Sequence, residues 1–138
     1  MVEAFGQAGE IADAVAVRVV EGLHVKAVEA SGASPSTLLI DTRTESQRRD
    51  QGELPGAIVI DRTVLEWRLD PSSGASIPEA TGYDLEIIVV CRQGYSSSLA
   101  AASLRAVGLW RATDRIDGVE GWIAAGLPLS NDPADVRI

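Results

Sequence analysis

Short apolar runs, each closed by a polar or charged residue, recur along the chain. Leu38-Leu39-Ile40, Ile58-Val59-Ile60 and Ile87-Ile88-Val89-Val90 show no alternation with polar residues, which marks strands buried on both faces. Val17 to Val20 and Ala112 to Ile116 read as further short strands. Between the runs the period changes to that of helices. Leu23, Ala27, Val28 and Ala30 recur at helical spacing until Ser31 to Pro35 ends them. Thr44 to Gly52 is a short polar helix, with Thr44 as N-cap and Gly52 as stop. Thr63 to Leu69 is another, with Val64, Trp67 and Leu69 inward. Leu99 to Arg105 follows, turning Leu99, Ala102, Ser103 and Ala106 to the sheet, and Gly108 caps it. Asp117 to Gly126 forms the last. Residues 70 to 84 make the longest loop.

Strands alternating with helices predict an α/β fold built on a parallel sheet. The chain divides into an arm at residues 1–16, a domain at 17–130 and a tail at 131–138. Sites in such sheets lie beyond the carboxyl ends of the strands, and Asp41, Asp61 and Cys91 all fall there.

Composition narrows the classes. The 138 residues suit one domain, and 46% hydrophobic content gives it a real core. No apolar run is long enough to span a membrane, and Met1 to Glu10 lacks the basic start of a signal peptide. A net charge of −8 argues against a nucleic-acid partner. The single cysteine forbids an internal disulfide and a CxxC metal site, so a reducing cytoplasm is expected, with no metal or cofactor. His24, the sole histidine, reads as an exposed or capping residue.

Cys91 is the chemical focus. It ends the longest apolar run and opens the loop Arg92-Gln93-Gly94-Tyr95-Ser96-Ser97. Strand, cysteine, tight loop and helix start bring loop amides and a positive helix end to a thiol, which lowers its pKa and makes a nucleophile. A buried, inert thiol is the bland reading, and the polar loop argues against it. Asp41 and Arg43 read as a pair that braces the loop rather than as chemical groups. Tyr95 suits a pocket wall, and Trp67, Trp110 and Trp122 suit the core or its margin.

Four patches together resemble the rhodanese-like sulfurtransferase domain. Leu39-Ile40-Asp41-Thr42-Arg43 is similar to the family's strand ending in Asp-x-Arg. Gly52-Glu53-Leu54-Pro55-Gly56-Ala57 is similar to its G-x-I-P-G-A turn, with Glu53 where a histidine is common. Cys91 to Ser97 is similar to its six-residue active-site loop. Gly118 to Trp122 with Ala125-Gly126-Leu127-Pro128 is similar to its ending, Val119 replacing a glycine. Order and spacing across residues 38–128 carry the match.

The resemblance implies a three-layer fold, a five-stranded parallel sheet flanked by helices. It also implies that Cys91 takes a sulfane sulfur from a donor such as thiosulfate, becomes a persulfide, and passes it to a thiol, cyanide or other thiophilic acceptor. Amides of Arg92 through Ser97, arranged as a nest, would hold both the thiolate and the persulfide anion. Gly94 supplies backbone freedom, Ser96 and Ser97 supply hydroxyls, and Arg92 and Gln93 stand at the mouth. Two other readings remain: a non-catalytic or sulfur-carrier module serving a protein partner, and a Cys-loop phosphatase. The second needs an arginine six residues after the cysteine, where this chain has Ser97.

Overall fold

The structure is a computed structural model that describes residues 37–138. The expected arm, the strand at Val17–Val20, the helix bearing Leu23 to Ala30 and His24 lie outside the described residues. Five strands form one sheet: β1 Thr37–Asp41, β2 Ile58–Ile60, β3 Glu86–Val90, β4 Ala112–Asp114 and β5 Asp135–Arg137. Their order is β4-β3-β1-β2-β5, and every pairing is parallel. Four helices connect them: α1 Glu45–Gln51, α2 Leu65–Leu69 (entered through a 3-10 turn at Arg62–Val64), α3 Tyr95–Ala106 and α4 Gly118–Ala124. This is the expected α/β architecture, with the fifth strand in an unexpected place. The segment read as a tail, 131–138, supplies β5, whose Val136 pairs with Val59. Asp135 and Arg137 flank the single apolar Val136, so the strand carries no apolar run to announce it.

The alternation of side chains across β1 and β3 divides the core into two layers. Leu38, Ile40, Ile87 and Val89 point to one face, where they meet Leu65 and Leu69 of α2 and Ala100 and Leu104 of α3. Leu39, Ile88 and Val90 point to the other, against Leu54, Val119 and Trp122. Both faces being covered is why these runs contain no polar residue. The five-residue register from Thr37↔Glu86 to Asp41↔Val90 makes β1 and β3 the rigid centre, and Cys91 follows it directly.

Several elements differ from expectation. Helix α3 starts at Tyr95, four residues before Leu99, because Gly94 adopts φ +91° and turns the chain straight into the helix. Its buried stripe is Ser97, Ala100, Ala101 and Leu104, not Leu99, Ala102, Ser103 and Ala106. The phase is set by Ser97, which lies wholly buried beneath the loop. Strand β4 stops at Asp114, since Arg115 bonds Val89 and then leaves the ladder for a turn. Trp67 and Trp110 are exposed, while Trp122 is buried and donates from Nε1 to the Pro128 carbonyl at 2.8 Å. The stretch 70–84 holds no helix or strand, yet Ile77 and Ala80 anchor it in the core.

Candidate active site

The loop after β3 forms a cup around one sulfur. The Gly94 amide donates to Cys91 Sγ at 3.0 Å, and the thiol donates to Ser97 Oγ at 3.2 Å. Burial pushes the Cys91 thiol up. Hydrogen bonds from the hydroxyls of Ser97 and Ser96 and from the amides of Ser97 and Gly94 outweigh it, so the pKa lies below the ordinary thiol value. Starting α3 at Tyr95 makes this possible, because residues 95–97 form the first turn, whose amides have no partner within the helix. Of the loop residues singled out from sequence, Gly94, Ser96 and Ser97 reach the sulfur. Arg92, Gln93 and Tyr95 are exposed around the opening. Among the described residues, Arg92 holds a long contact, 3.9 Å, to Asp50 on α1.

Asp41 and Arg43 lie beside the loop and pair with each other. Arg43 places Nε 3.1 and 3.2 Å from the two carboxylate oxygens of Asp41 and Nη2 2.8 Å from Oδ2. Its Nη2 also donates to the Gly52 carbonyl at 2.9 Å, which ties the end of β1 to the end of α1. Between the pair, the Thr42 amide donates to the Val90 carbonyl at 2.9 Å, one residue before the cysteine. Both side chains of the ion pair are wholly buried, so removing one strands the other. Arg43→Ala is expected to cost about 3–5 kcal/mol. A urea midpoint close to that of the wild type would show that the pair braces nothing.

Residues 114–120 complete the site, and the sequence motifs gave them no part in it. Val119 and Glu120 donate their amides to the carbonyls of Cys91 and Arg92 at 2.9 and 3.0 Å. Gly118 allows this approach, since a Cβ there would stand 2.2 Å from the Cys91 carbonyl oxygen. Asp114, at the end of β4, brings Oδ2 to 3.4 Å from Ser97 Oγ. The Gly-Val-Glu-Gly run is the signal that could have placed α4 against the loop. Asp114 has no such signal, being one acidic residue in a short strand. The G-E-L-P-G-A turn and the A-G-L-P ending meet through a reciprocal pair of bonds between Glu53 and Ser130. Glu53 itself pairs with Arg48 at 2.9 Å. Among the described residues, no group of three His, Cys, Asp or Glu side chains could hold a metal ion, and no helix is long and apolar enough to cross a membrane.

A parallel α/β domain with its one cysteine cupped at the carboxyl end of a central strand is the class this geometry defines. The model of the rhodanese-like domain family matches residues 24–125, and the chain belongs to that family. A sulfurtransferase of Allochromatium vinosum is 32% identical over 92 residues, 67% of this chain and 77% of that protein. A solved structure from Rhodopseudomonas palustris, described as a possible tyrosine phosphatase, superposes with a TM-score of 0.66 at 30% identity. It covers 75% of this chain and 77% of its own. The human single-domain sulfurtransferase shares the fold, with a TM-score of 0.57 at 23% identity over 73% of this chain and 90% of its own.

Proposed function

We propose that this protein is a sulfurtransferase that carries a sulfane sulfur on Cys91 as a persulfide, taken from an anionic donor such as thiosulfate. The observation that carries this reading is the cup itself: one sulfur, bonded by the Gly94 amide and the Ser97 hydroxyl, with its pKa held down. The thiolate attacks the sulfane sulfur of the donor, the S–S bond of thiosulfate breaks, and sulfite leaves with the electron pair. A persulfide anion remains on Cys91, where amide and hydroxyl donors suit its charge as they suit the thiolate. A thiol or cyanide then attacks the outer sulfur and returns Cys91 as thiolate. No second cysteine exists to resolve the persulfide, so the acceptor comes from outside. Exposed Arg92, Gln93 and Tyr95 frame its approach, whether it is a small molecule or a protein that relays sulfur. A lone thiol of this kind suits a reducing, cytoplasmic setting.

The similarity of the Rhodopseudomonas structure raises phosphatase chemistry, which requires a cation to clamp three phosphate oxygens. Six residues after the cysteine stands Ser97, and its hydroxyl is bonded to the sulfur. Sulfur transfer is the better fit. Thiocyanate formation from thiosulfate and cyanide, measured beside hydrolysis of an aryl phosphate, separates the two. Turnover of the phosphate ester alone would reject the proposal.

Arg92 supplies attraction at the mouth rather than chemistry. Its long contact to Asp50 leaves the guanidinium available to an incoming anion. Arg92→Ala is expected to raise KM for thiosulfate about fivefold, near 1 kcal/mol, with kcat little changed. An unchanged KM would make the arginine a bystander.

A further inference from the structure

Behind the cup lies a buried cation that, among the described residues, forms no ion pair. Arg115 follows β4 directly and is 7% exposed, and its Nε is buried without a hydrogen-bond partner. Nη1 donates to the carbonyl of the next residue, Ile116, and the exposed Asp117 is its charged neighbour. Such a placement costs stability, since the desolvation of the guanidinium is left largely uncompensated. The one bond it makes has a local consequence. The Ile116 carbonyl and the Asp117 amide belong to a single planar peptide unit, so fixing the first aims the second. Asp117 turns from that unit at φ +59°, the one non-glycine residue with positive φ among the described residues. It stands at the N-cap of α4, yet its side chain caps nothing, and the amides of Val119 and Glu120 go to loop carbonyls instead. The nitrogen side of the unit abuts the loop: a Cβ at Gly94 would stand 2.7 Å from the Asp117 nitrogen. Gly94 is the residue whose amide reaches the sulfur.

We propose that Arg115 is a positioning residue that holds the Ile116–Asp117 peptide unit against Gly94, and so keeps the donors of the cup converged on Cys91 without touching the sulfur. The surroundings of Gly121 agree: an added Cβ there would meet the Ile116 carbonyl oxygen at 3.1 Å and Arg115 Nη1 at 3.5 Å. The guanidinium therefore lies folded over the start of α4. Releasing this clasp loosens three ties at once: the Gly94 contact and the bonds from Val119 and Glu120 to the carbonyls of Cys91 and Arg92. No single donor is deleted; all of them are aimed less well, which makes the thiol less acidic. The inference goes beyond the sulfur-transfer reading and concerns the thiol alone, whatever donor loads it.

The test is the pH midpoint of Cys91 alkylation by iodoacetamide on the full chain, which needs no sulfur donor. Arg115→Met fills the space with neither charge nor donor. Its midpoint is expected about half a pH unit higher, with a rate about threefold lower below it. Glycine adopts positive φ without help, so in an Asp117→Gly background the turn no longer depends on the arginine. There Arg115→Met is expected to move the midpoint by less than half as much. Asp117→Ala and Asp117→Gly lose the same carboxylate and differ chiefly in backbone freedom, so the alanine variant is expected to have the higher midpoint. Arg92 on the loop, Asp114 on β4 and Glu120 on α4 keep their charges in every variant. An unchanged or lowered midpoint in Arg115→Met overturns the proposal. So does a full shift that persists in the Asp117→Gly background, since the guanidinium would then act on the thiolate through space. Equal midpoints for Asp117→Ala and Asp117→Gly overturn it as well. Arg115→Gln makes the same comparison if the methionine variant does not fold. Loss of sulfur transfer with these shifts intact would count against the function proposed above and not against this inference.

Discussion

Cys91→Ser is expected to abolish thiocyanate formation from thiosulfate and cyanide while leaving the urea midpoint near that of the wild type. The serine oxygen would sit in the same cup, bonded by the Gly94 amide and facing Ser97, so the loop keeps its shape. What changes is the nucleophile. A hydroxyl stays protonated where a thiol with a lowered pKa ionises, and it cannot form the S–S bond that the proposed persulfide requires. The remaining donors bind an anion but have nothing to hand it. Retained turnover in this variant would move the chemistry to another residue.

Gly118→Ala is expected to be the most damaging added methyl among the described glycines. The residue adopts φ +54°, and an added Cβ would meet the Cys91 carbonyl oxygen at 2.2 Å and the Arg92 carbonyl carbon at 2.7 Å. Backbone atoms cannot step aside as a side chain can, so α4 must retreat. The bonds from Val119 and Glu120 to the loop would go with it. A left-handed backbone costs about 1–2 kcal/mol, and forced overpacking about 1–3 kcal/mol more. Sulfur transfer should fall with stability, because the carbonyls that α4 holds belong to the residues forming the cup. Gly126→Ala is the control: its φ is +74°, but nothing lies within 4 Å of the added carbon. It should show the backbone cost alone. Equal urea midpoints for the two variants would mean that the contact between α4 and the loop carries no weight.

The central strands were legible because their environment leaves no freedom in composition. A strand covered on both faces must be apolar throughout, as Leu38 to Ile40 and Ile87 to Val90 are. The cysteine loop was legible for a related reason, since a lone thiol between a buried strand and a polar turn has few bland explanations. Where the reading failed, the deciding contact was distant in sequence. The phase of α3 depends on Ser97 being drawn under Cys91, and a small-residue helix offers several equally plausible stripes. Strand β5 is defined by its register with β2, with only Val136 to mark it between charged neighbours. The spacing of Trp67 predicts an inward side chain, yet α2 is a helix of five residues that buries only Leu65 and Leu69. Asp114 joins the site through Ser97, seventeen residues earlier, and no local pattern connects the two.

The role of Asp41 and Arg43 shows the same division. Their spacing at the end of β1 predicts a pair, and the guanidinium fork does sit on the carboxylate. The reach of Nη2 to the Gly52 carbonyl, which links the pair to α1, depends on where that helix stops.

The most direct measurement is the mass of the intact protein after exposure to thiosulfate, with the modified residue located by peptide mapping. A gain of about 32 Da on Cys91, removed by cyanide or dithiothreitol, is the result expected of a sulfur held in the amide cup. An unmodified Cys91 after thiosulfate, under conditions where iodoacetamide alkylates it, would contradict the persulfide at the centre of this account.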